Sequence, residues 1–119
     1  MSADPYNQAV RDLFTSPAHA GGVAGGKTVL ADDQGVRVEL SAGVAGGQLS
    51  ALRFRAWGCP HLLAAAEWVC SHYEGGPIGA LEKFPNARIM EDLAVPVEKT
   101  GRILVLEDAI QSLGRSLDH

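Results

Sequence analysis

Residues 52–73, LRFRAWGCPHLLAAAEWVCSHY, decide the fold of this chain. In their first part, apolar side chains alternate with Arg53 and Arg55, a period typical of a strand with one buried face. Gly58 then permits a sharp backbone turn, and Pro60 suits the first turn of a helix, where its missing N–H costs nothing. After Pro60 the apolar residues follow helical spacing. The stretch therefore predicts a strand, a tight turn and a helix.

Cys59 stands at the junction, at the N-terminal end of the predicted helix. The free N–H groups and the dipole of a helix stabilise negative charge at this end, and they favour a thiolate over a thiol. The thiolate is the form of cysteine that binds a metal or acts as a nucleophile. The other interpretation is a structural one, because free cysteines are among the most buried residues and usually fill space in a core.

The composition is that of an ordinary globular protein, with 119 residues, 46% hydrophobic and 20% charged. We expect one domain over residues 1–119. The net charge of −4 gives no reason to expect a nucleic-acid partner, and we expect neither a leader peptide nor a membrane span. The cysteines, Cys59 and Cys70, would lie about 16 Å apart on one helix, too far for a disulfide. They indicate reduced thiols in a cytoplasmic protein, with Cys70 in the core.

The rest of the chain predicts a meander of strands followed by helices. Strands are predicted at residues 27–31, 36–40 and 49–57, with turn residues at 32–35 and 43–47. Further helices are predicted from Asp4 to Ser16, at 78–84, at 86–93 and from Pro96 onward. The Gly/Ala-rich loop 17–26 is either mobile or held by a ligand or a partner. The order predicts an α+β fold, a small antiparallel sheet of two or three strands covered by helices.

Four segments of the chain resemble one known family. Residues 53–66, RFRAWGCPHLLAAA, are the most specific, because they resemble an R-F-x-x-x-G-C segment that leads into an Ala/Ser-rich helix. Residues 6–21 resemble an opening helix with an Asn-Pro loop, 93–99 (LAVPVEK) a Leu-Pro-Pro-Val-Lys chaperone-recognition segment, and 106–110 (LEDAI) an Ala-Glu-Asp-Ala-Ile run. The chain thus resembles the iron–sulfur cluster assembly scaffolds, the IscU family and the N-terminal domain of NifU.

The resemblance implies a cluster or metal site around Cys59. The family holds its cluster with three cysteines, an aspartate and a histidine, and Cys59 matches the second cysteine. The positions of the other four carry different residues here: Asp32 or Asp33 for the first cysteine, Gln34 for the aspartate, Arg102 for the third cysteine and Gly101 for the histidine. Clusters require soft thiolates, normally four. Cys59, Asp32 and Asp33 with a histidine instead suit Zn²⁺ or Fe²⁺.

Arg102 allows a different interpretation of the same site. A guanidinium in the place of a third ligand repels a cation, and it attracts the Cys59 thiolate or Asp32. On this interpretation an ion pair replaces the metal site. His19, in the loop 17–26, and His61, two residues after Cys59, are the remaining candidate contributors.

We do not expect an enzyme. Cys59 and His61 are two residues apart at the start of a helix, so their side chains point in different directions, and no third group orients the histidine. The resemblance implies an iron–sulfur cluster assembly scaffold-like protein that binds iron, a cluster or zinc, or accepts sulfur, at Cys59. Its expected partner is a cysteine desulfurase or another assembly protein. The alternative is a cluster-free interaction or regulatory protein that keeps the scaffold fold and docks on assembly factors.

Overall fold

The computed structural model describes Gln8 and residues 18–83 and 86–117. The helix predicted from Asp4 to Ser16 lies outside this part except for Gln8. The described elements are strands β1 (Lys27–Asp33), β2 (Val36–Ala45) and β3 (Gln48–Trp57), and helices α1 (Pro60–Tyr73), α2 (Asn86–Asp92) and α3 (Thr100–Leu117). Short 3₁₀ turns at Ile78–Glu82 and Val97–Lys99 precede α2 and α3. The predicted α+β class is confirmed, although the last helix begins after a 3₁₀ turn and not at Pro96.

The sheet is an antiparallel meander in the order β1-β2-β3. The turn between β1 and β2 consists of Gln34 and Gly35 alone, with φ angles of 54° and 74°, which is the geometry of a type I′ hairpin turn. Because two residues suffice, β1 continues through Asp32 and Asp33, which the sequence had assigned to the turn. The second turn is also only two residues long, Gly46 and Gly47, so β2 continues to Ala45.

The core lies between the inner face of the sheet and helices α1 and α3. Leu40 is paired with Phe54 across β2 and β3, and both side chains are at most 2% exposed. On α3, helical spacing predicts an apolar stripe that includes Leu104 and omits Val105. The structure corrects this prediction, because Leu104 is 42% exposed while Val105 is 3% exposed. The stripe was drawn from spacing alone, and the packing of α3 on the sheet rotates Val105 inward. No helix in residues 18–83 or 86–117 has the length and apolar character to cross a bilayer.

The described part of the Gly/Ala loop is held on the sheet by the chain itself. Ala20 forms a parallel bridge with Phe54; the Phe54 N–H donates to the carbonyl of His19 at 3.0 Å, and the Gly21 N–H donates to the carbonyl of Phe54 at 2.7 Å. His19 Nδ1 lies 2.5 Å from the buried Glu67 carboxylate, and its Nε2 lies 3.3 Å from Glu74. This segment therefore needs no ligand to be ordered.

Glu74 ties the end of α1 to β3. Its Oε2 accepts a hydrogen bond from the Leu52 N–H at 2.9 Å and one from the Arg53 guanidinium. Burial raises the pKa of Glu74, but these hydrogen bonds and the charges of Arg53 and His19 outweigh burial and hold it below its ordinary value of 4.5. A carboxyl group with a lowered pKa stabilises the fold above the pKa of the unfolded chain and loses that effect as the pH falls.

We expect Glu74→Gln to lower the free energy of unfolding at neutral pH by about 1.5 to 3 kcal/mol, the usual contribution of hydrogen bonds to a charged group. The difference from the wild type should shrink on acidification, since protonated Glu74 no longer has an advantage over glutamine. Urea denaturation at neutral pH and at about pH 3 measures both effects. Glu91→Gln, at an exposed position on α2, is the control. A difference that stays constant with pH would contradict the prediction.

Candidate functional site

Three segments meet at the end of the sheet where β3 leads into α1. The backbone of Gly58 packs on Val36 at the start of β2, where a Cβ added to Gly58 would lie 2.5 Å from Val36 Cγ1. At the start of α3, a Cβ added to Gly101 would lie 3.2 Å from Oε1 of Gln34, in the β1–β2 turn. The turn, the junction and the start of α3 are the places where the resemblance to the scaffold family puts its ligands.

Cys59 is the N-cap residue of α1, with extended backbone angles of −112° and 134°. Its carbonyl accepts the first helical hydrogen bond, from the Leu63 N–H at 3.1 Å. The side chain is buried, with 3% exposed. Gly58, at φ 129°, turns the chain so that the thiol points toward α3 and not into solvent.

The surroundings of Cys59 favour the thiolate. Burial raises the pKa of the Cys59 thiol, but four groups act the other way: a hydrogen bond from Arg102, the backbone N–H groups of His61 and Leu62, and the charge of Lys99. Together they outweigh burial and hold the pKa below its ordinary value of 9.0. The guanidinium of Arg102 therefore lies near enough to Cys59 to influence its pKa, which is the proximity that the ion-pair interpretation of Arg102 requires.

His61 faces Lys99, and its surroundings favour the neutral form of the ring. It is 1% exposed, and burial, followed by the charges of Lys99 and Arg102, lowers its pKa. Lys99 Nζ lies 3.5 Å from His61 Nδ1, and because an ammonium has only donors, this ring nitrogen acts as the acceptor. Cys59 Sγ is 3.9 Å from the same nitrogen, so the prediction that these two side chains point in different directions is wrong, because both turn toward the start of α3. The lone pair of His61 Nδ1, which would have to accept the proton of the thiol for His61 to act as a base, therefore faces the Lys99 ammonium.

Lys99 was not singled out in the sequence, although a signal was present. Lys99 and Arg102 are three residues apart where the 3₁₀ turn continues into α3, and residues three apart on a helix share a face. A pair of cations on one face at the start of a helix is unfavourable for the helix dipole. Negative charge on Cys59, whose pKa is lowered, would offset this unfavourable placement.

The structure brings together Cys59, His61 and Arg102, whereas His19 and the two aspartates contact other groups. Asp32 Oδ2 accepts hydrogen bonds from Arg37 Nη2 at 2.9 Å and from Nε at 3.1 Å, on the exposed face of the sheet. Asp33 Oδ1 accepts a hydrogen bond from the Gln34 N–H at 2.8 Å. His19 lies along the second half of α1, with Glu67 and Glu74.

The donors around Cys59 do not fit a cluster. A cluster needs several thiolates, and the second cysteine, Cys70, is fully buried in the core, where burial and the charges of Glu67 and Glu74 raise its pKa. Across the described residues no three His, Cys, Asp or Glu side chains are arranged to hold a metal ion. Arg102 and Lys99 add positive charge beside the thiolate. Binding of iron or zinc by Cys59, Asp32 and Asp33 remains a prediction.

Solved structures share this fold at low sequence identity. A candidate iron–sulfur cluster assembly scaffold for the SUF system, from Fervidobacterium islandicum AW-1, is 13% identical with a TM-score of 0.71, covering 90% of this chain and 94% of the other. The N-terminal part of a nitrogen-fixing NifU-like protein from Brucella abortus is 13% identical with a TM-score of 0.60, covering 92% and 80%. A hypothetical protein is 17% identical with a TM-score of 0.66, covering 87% and 94%. At these identities the likeness establishes the fold alone.

Sequence comparison establishes the family. No curated protein matches the chain. The sequence profile of the NifU-like N terminal domain, in contrast, matches residues 5–113, which includes the junction at Cys59 and the start of α3. The chain therefore belongs to the NifU-like N-terminal domain family.

Proposed function

We propose that this protein takes part in iron–sulfur cluster assembly as a scaffold-like protein that accepts sulfur at Cys59. Membership of the NifU-like family supports the general role, as does the fold shared with a candidate scaffold of the SUF system. The observation that carries the specific role is the lowered pKa of Cys59 beside Arg102 and Lys99. The protein is a carrier in this proposal and not an enzyme, and its partner is a cysteine desulfurase or another assembly protein.

Sulfur transfer to Cys59 needs one thiolate and no metal. The Cys59 thiolate attacks the outer sulfur of a cysteine persulfide on the donor protein. A new S–S bond forms on Cys59, the S–S bond of the donor breaks, and the donor cysteine leaves as a thiolate with the electron pair of that bond. The proton of the persulfide stays with the transferred sulfur or goes to water, so no external oxidant or reductant is required.

The cations beside Cys59 suit this chemistry better than they suit a metal. Before transfer, Arg102 and Lys99 stabilise the attacking thiolate, and after transfer they stabilise the persulfide anion at nearly the same place. The same positive charges oppose a metal cation. A cluster bound at Cys59 therefore has no part in the proposed transfer.

A second candidate function is supported by the burial of the thiol. Cys59 is 3% exposed, so a donor persulfide reaches it only if the covering side chains move. Large apolar side chains lie exposed near the site, with Trp57 at 49% and Val97 at 83%. In the alternative, the pair of Cys59 and Arg102 has a structural role only, and this end of the protein docks on an assembly factor without carrying sulfur or a cluster.

Sulfur loading distinguishes the two candidates. The protein is incubated with a cysteine desulfurase and L-cysteine, and intact-mass spectrometry follows the gain of one sulfur atom. We expect the gain in the wild type and in Cys70→Ala, and its loss in Cys59→Ser, because the surroundings lower the pKa of Cys59 and raise that of the buried Cys70. No gain in the wild type, together with equal binding of the desulfurase by the wild type and Cys59→Ser, would favour the docking function.

A metal-loading experiment tests the remaining prediction from the resemblance. After anaerobic reconstitution with iron and sulfide, or after incubation with zinc, we expect the wild type and Cys59→Ser to show the same background of bound metal. The reason is the donor set, one thiolate with Arg102 donating to it. A visible cluster band or stoichiometric zinc that is absent from Cys59→Ser would restore the metal-binding interpretation.

A cytoplasmic location and the absence of nucleic-acid and membrane partners remain predictions.

A further inference from the structure

Within the described part of the chain, strand β1 has an open edge. In the part of the chain that the structure describes, β1 pairs with β2 only, whereas the far edge of β3 is partly covered by the bridge between Ala20 and Phe54. Natural edge strands are usually protected by charges, proline or a bulge at their centre. The centre of β1, Val29–Leu30–Ala31, has none of these, and Leu30 is 58% exposed.

The turn geometry shows which backbone groups face this edge. Asp33 and Val36 flank the two-residue turn, and such a flanking pair exchanges both of its backbone hydrogen bonds. Bonding to β2 then alternates along β1, so every second residue directs its N–H and C=O away from β2. The residues that face the open edge in this way are Thr28, Leu30 and Asp32.

The sequence of β1, KTVLADD, is complementary to itself in the antiparallel direction. When two copies pair about a two-fold axis at Leu30, Lys27 lies opposite Asp33 of the other copy, and Thr28 lies opposite Asp32. Lys27 and Asp33 are both exposed and lie on the same face of the sheet. Opposite charges in directly opposed positions stabilise a strand pair, and this register forms one such pair at each end.

The same register satisfies the open backbone groups. Leu30 of each copy donates to and accepts from Leu30 of the other, because its N–H and C=O face the edge. Thr28 and Asp32 form the next hydrogen-bonded pairs on each side of the axis. If the two-fold axis moved by one residue, to Val29 or Ala31, the N–H and C=O of the central residue would already be bonded to β2. The same move would separate Lys27 from Asp33 of the other copy.

We propose that β1 binds β1 of a second copy of this chain, antiparallel about a two-fold axis at Leu30, so that two sheets join into one. The contact is isologous, since the same patch is used by both copies, and strand addition at an open edge is an established way for proteins to associate. It depends on neither Cys59 nor the proposed role in sulfur transfer.

The oligomeric state tests this inference. Sedimentation velocity of the wild type over about a hundredfold range of concentration should show a species of twice the 12.5 kDa chain mass that dissociates on dilution. Leu30→Lys sets two like charges against each other on the axis, and we expect it to raise the dissociation constant by about tenfold or more. The matched control is Leu104→Lys on α3, where an exposed leucine is replaced away from the edge.

A charge swap tests the register. Lys27→Asp alone places two acidic side chains opposite each other at both ends of the pair and should weaken association. The double variant Lys27→Asp with Asp33→Lys restores opposite charges and should bring the dissociation constant back toward the wild-type value. Circular dichroism checks that each variant is folded. A monomeric wild type at every concentration, a dimer unaffected by Leu30→Lys, or a swap that fails to recover association would each overturn the proposal.

Discussion

Replacing Gly58 with alanine is expected to lower the free energy of unfolding by about 2 to 5 kcal/mol. Gly58 has a φ of 129°, a conformation that costs a residue with a side chain about 1 to 3 kcal/mol. The new methyl group would also lie 2.5 Å from Val36 Cγ1 and 3.2 Å from its Cβ, so β2 or the junction must move. The backbone strain and the close contact both arise at Gly58, the residue that turns the Cys59 side chain toward α3.

Gly21 provides a matched control for this substitution. Its φ is also 129°, but a Cβ added there would meet no atom within 4 Å. Gly21→Ala therefore reports the backbone strain alone, and the difference between the two variants in urea denaturation reports the contact with Val36. The double variant Gly58→Ala with Val36→Ala removes Cγ1 and should recover part of the loss. Equal destabilisation by the two glycine substitutions would show that the close packing on β2 has no effect.

The second large effect is expected for Arg102→Gln, which should raise the pKa of Cys59. Burial alone raises this pKa, and the hydrogen bond from Arg102 is the largest influence that lowers it. Without that donor, burial is opposed only by two backbone N–H groups and the charge of Lys99. The midpoint of the pH profile for alkylation, followed by mass spectrometry on Cys59, should therefore move to higher pH.

Two further variants complete this test. Lys99→Met should move the midpoint upward by less than Arg102→Gln, since the charge of Lys99 is the weakest of the influences on Cys59. Arg55→Gln, which removes a guanidinium paired with Glu39 on the outer face of the sheet, should leave the midpoint unchanged. A midpoint that stays in place or falls in Arg102→Gln would refute the pairing of the guanidinium with the thiolate.

The lowered pKa of Cys59 should also make the free energy of unfolding depend on pH. A lowered pKa means that the folded chain releases the Cys59 proton before the unfolded chain does, so the pair with Arg102 stabilises the fold increasingly as the pH rises toward 9.0. That contribution is lost as the pH falls through the folded-state pKa. The stability gap between the wild type and Arg102→Gln should therefore widen from neutral to alkaline pH.

Much of the fold could be predicted because it follows from local patterns. Alternation of apolar and charged residues in 36–40 and 49–57 marked two strands of the sheet, and the change to helical spacing after Pro60 marked α1. The order of strands and helices then gave the α+β class. The boundaries of β1 and the inward position of Val105 were missed, because turn length and helix rotation depend on packing.

The ionic contacts of Glu67 and His19 could not be predicted, because they join residues far apart in the chain. Glu67 is a charged residue in the middle of α1, yet it is 3% exposed. It contacts His19, 48 residues earlier in the chain. His19 itself was grouped with Cys59, and the bridge of its loop to β3 places it along the second half of α1. The spacing of apolar and charged residues along the chain does not indicate this contact between His19 and α1.

The sequence by itself determined the order of the elements and the position of one cysteine at the start of a helix, since both depend on neighbouring residues. The resemblance suggested Arg102 as a neighbour of that cysteine, but only the tertiary structure decided which groups surround it. Arg102 and Lys99 follow it by about 40 residues, and they reach the thiol because α3 packs against the sheet and α1. The charge around the site is therefore a property of packing, which places the Cys59 thiol beside two cations that lower its pKa.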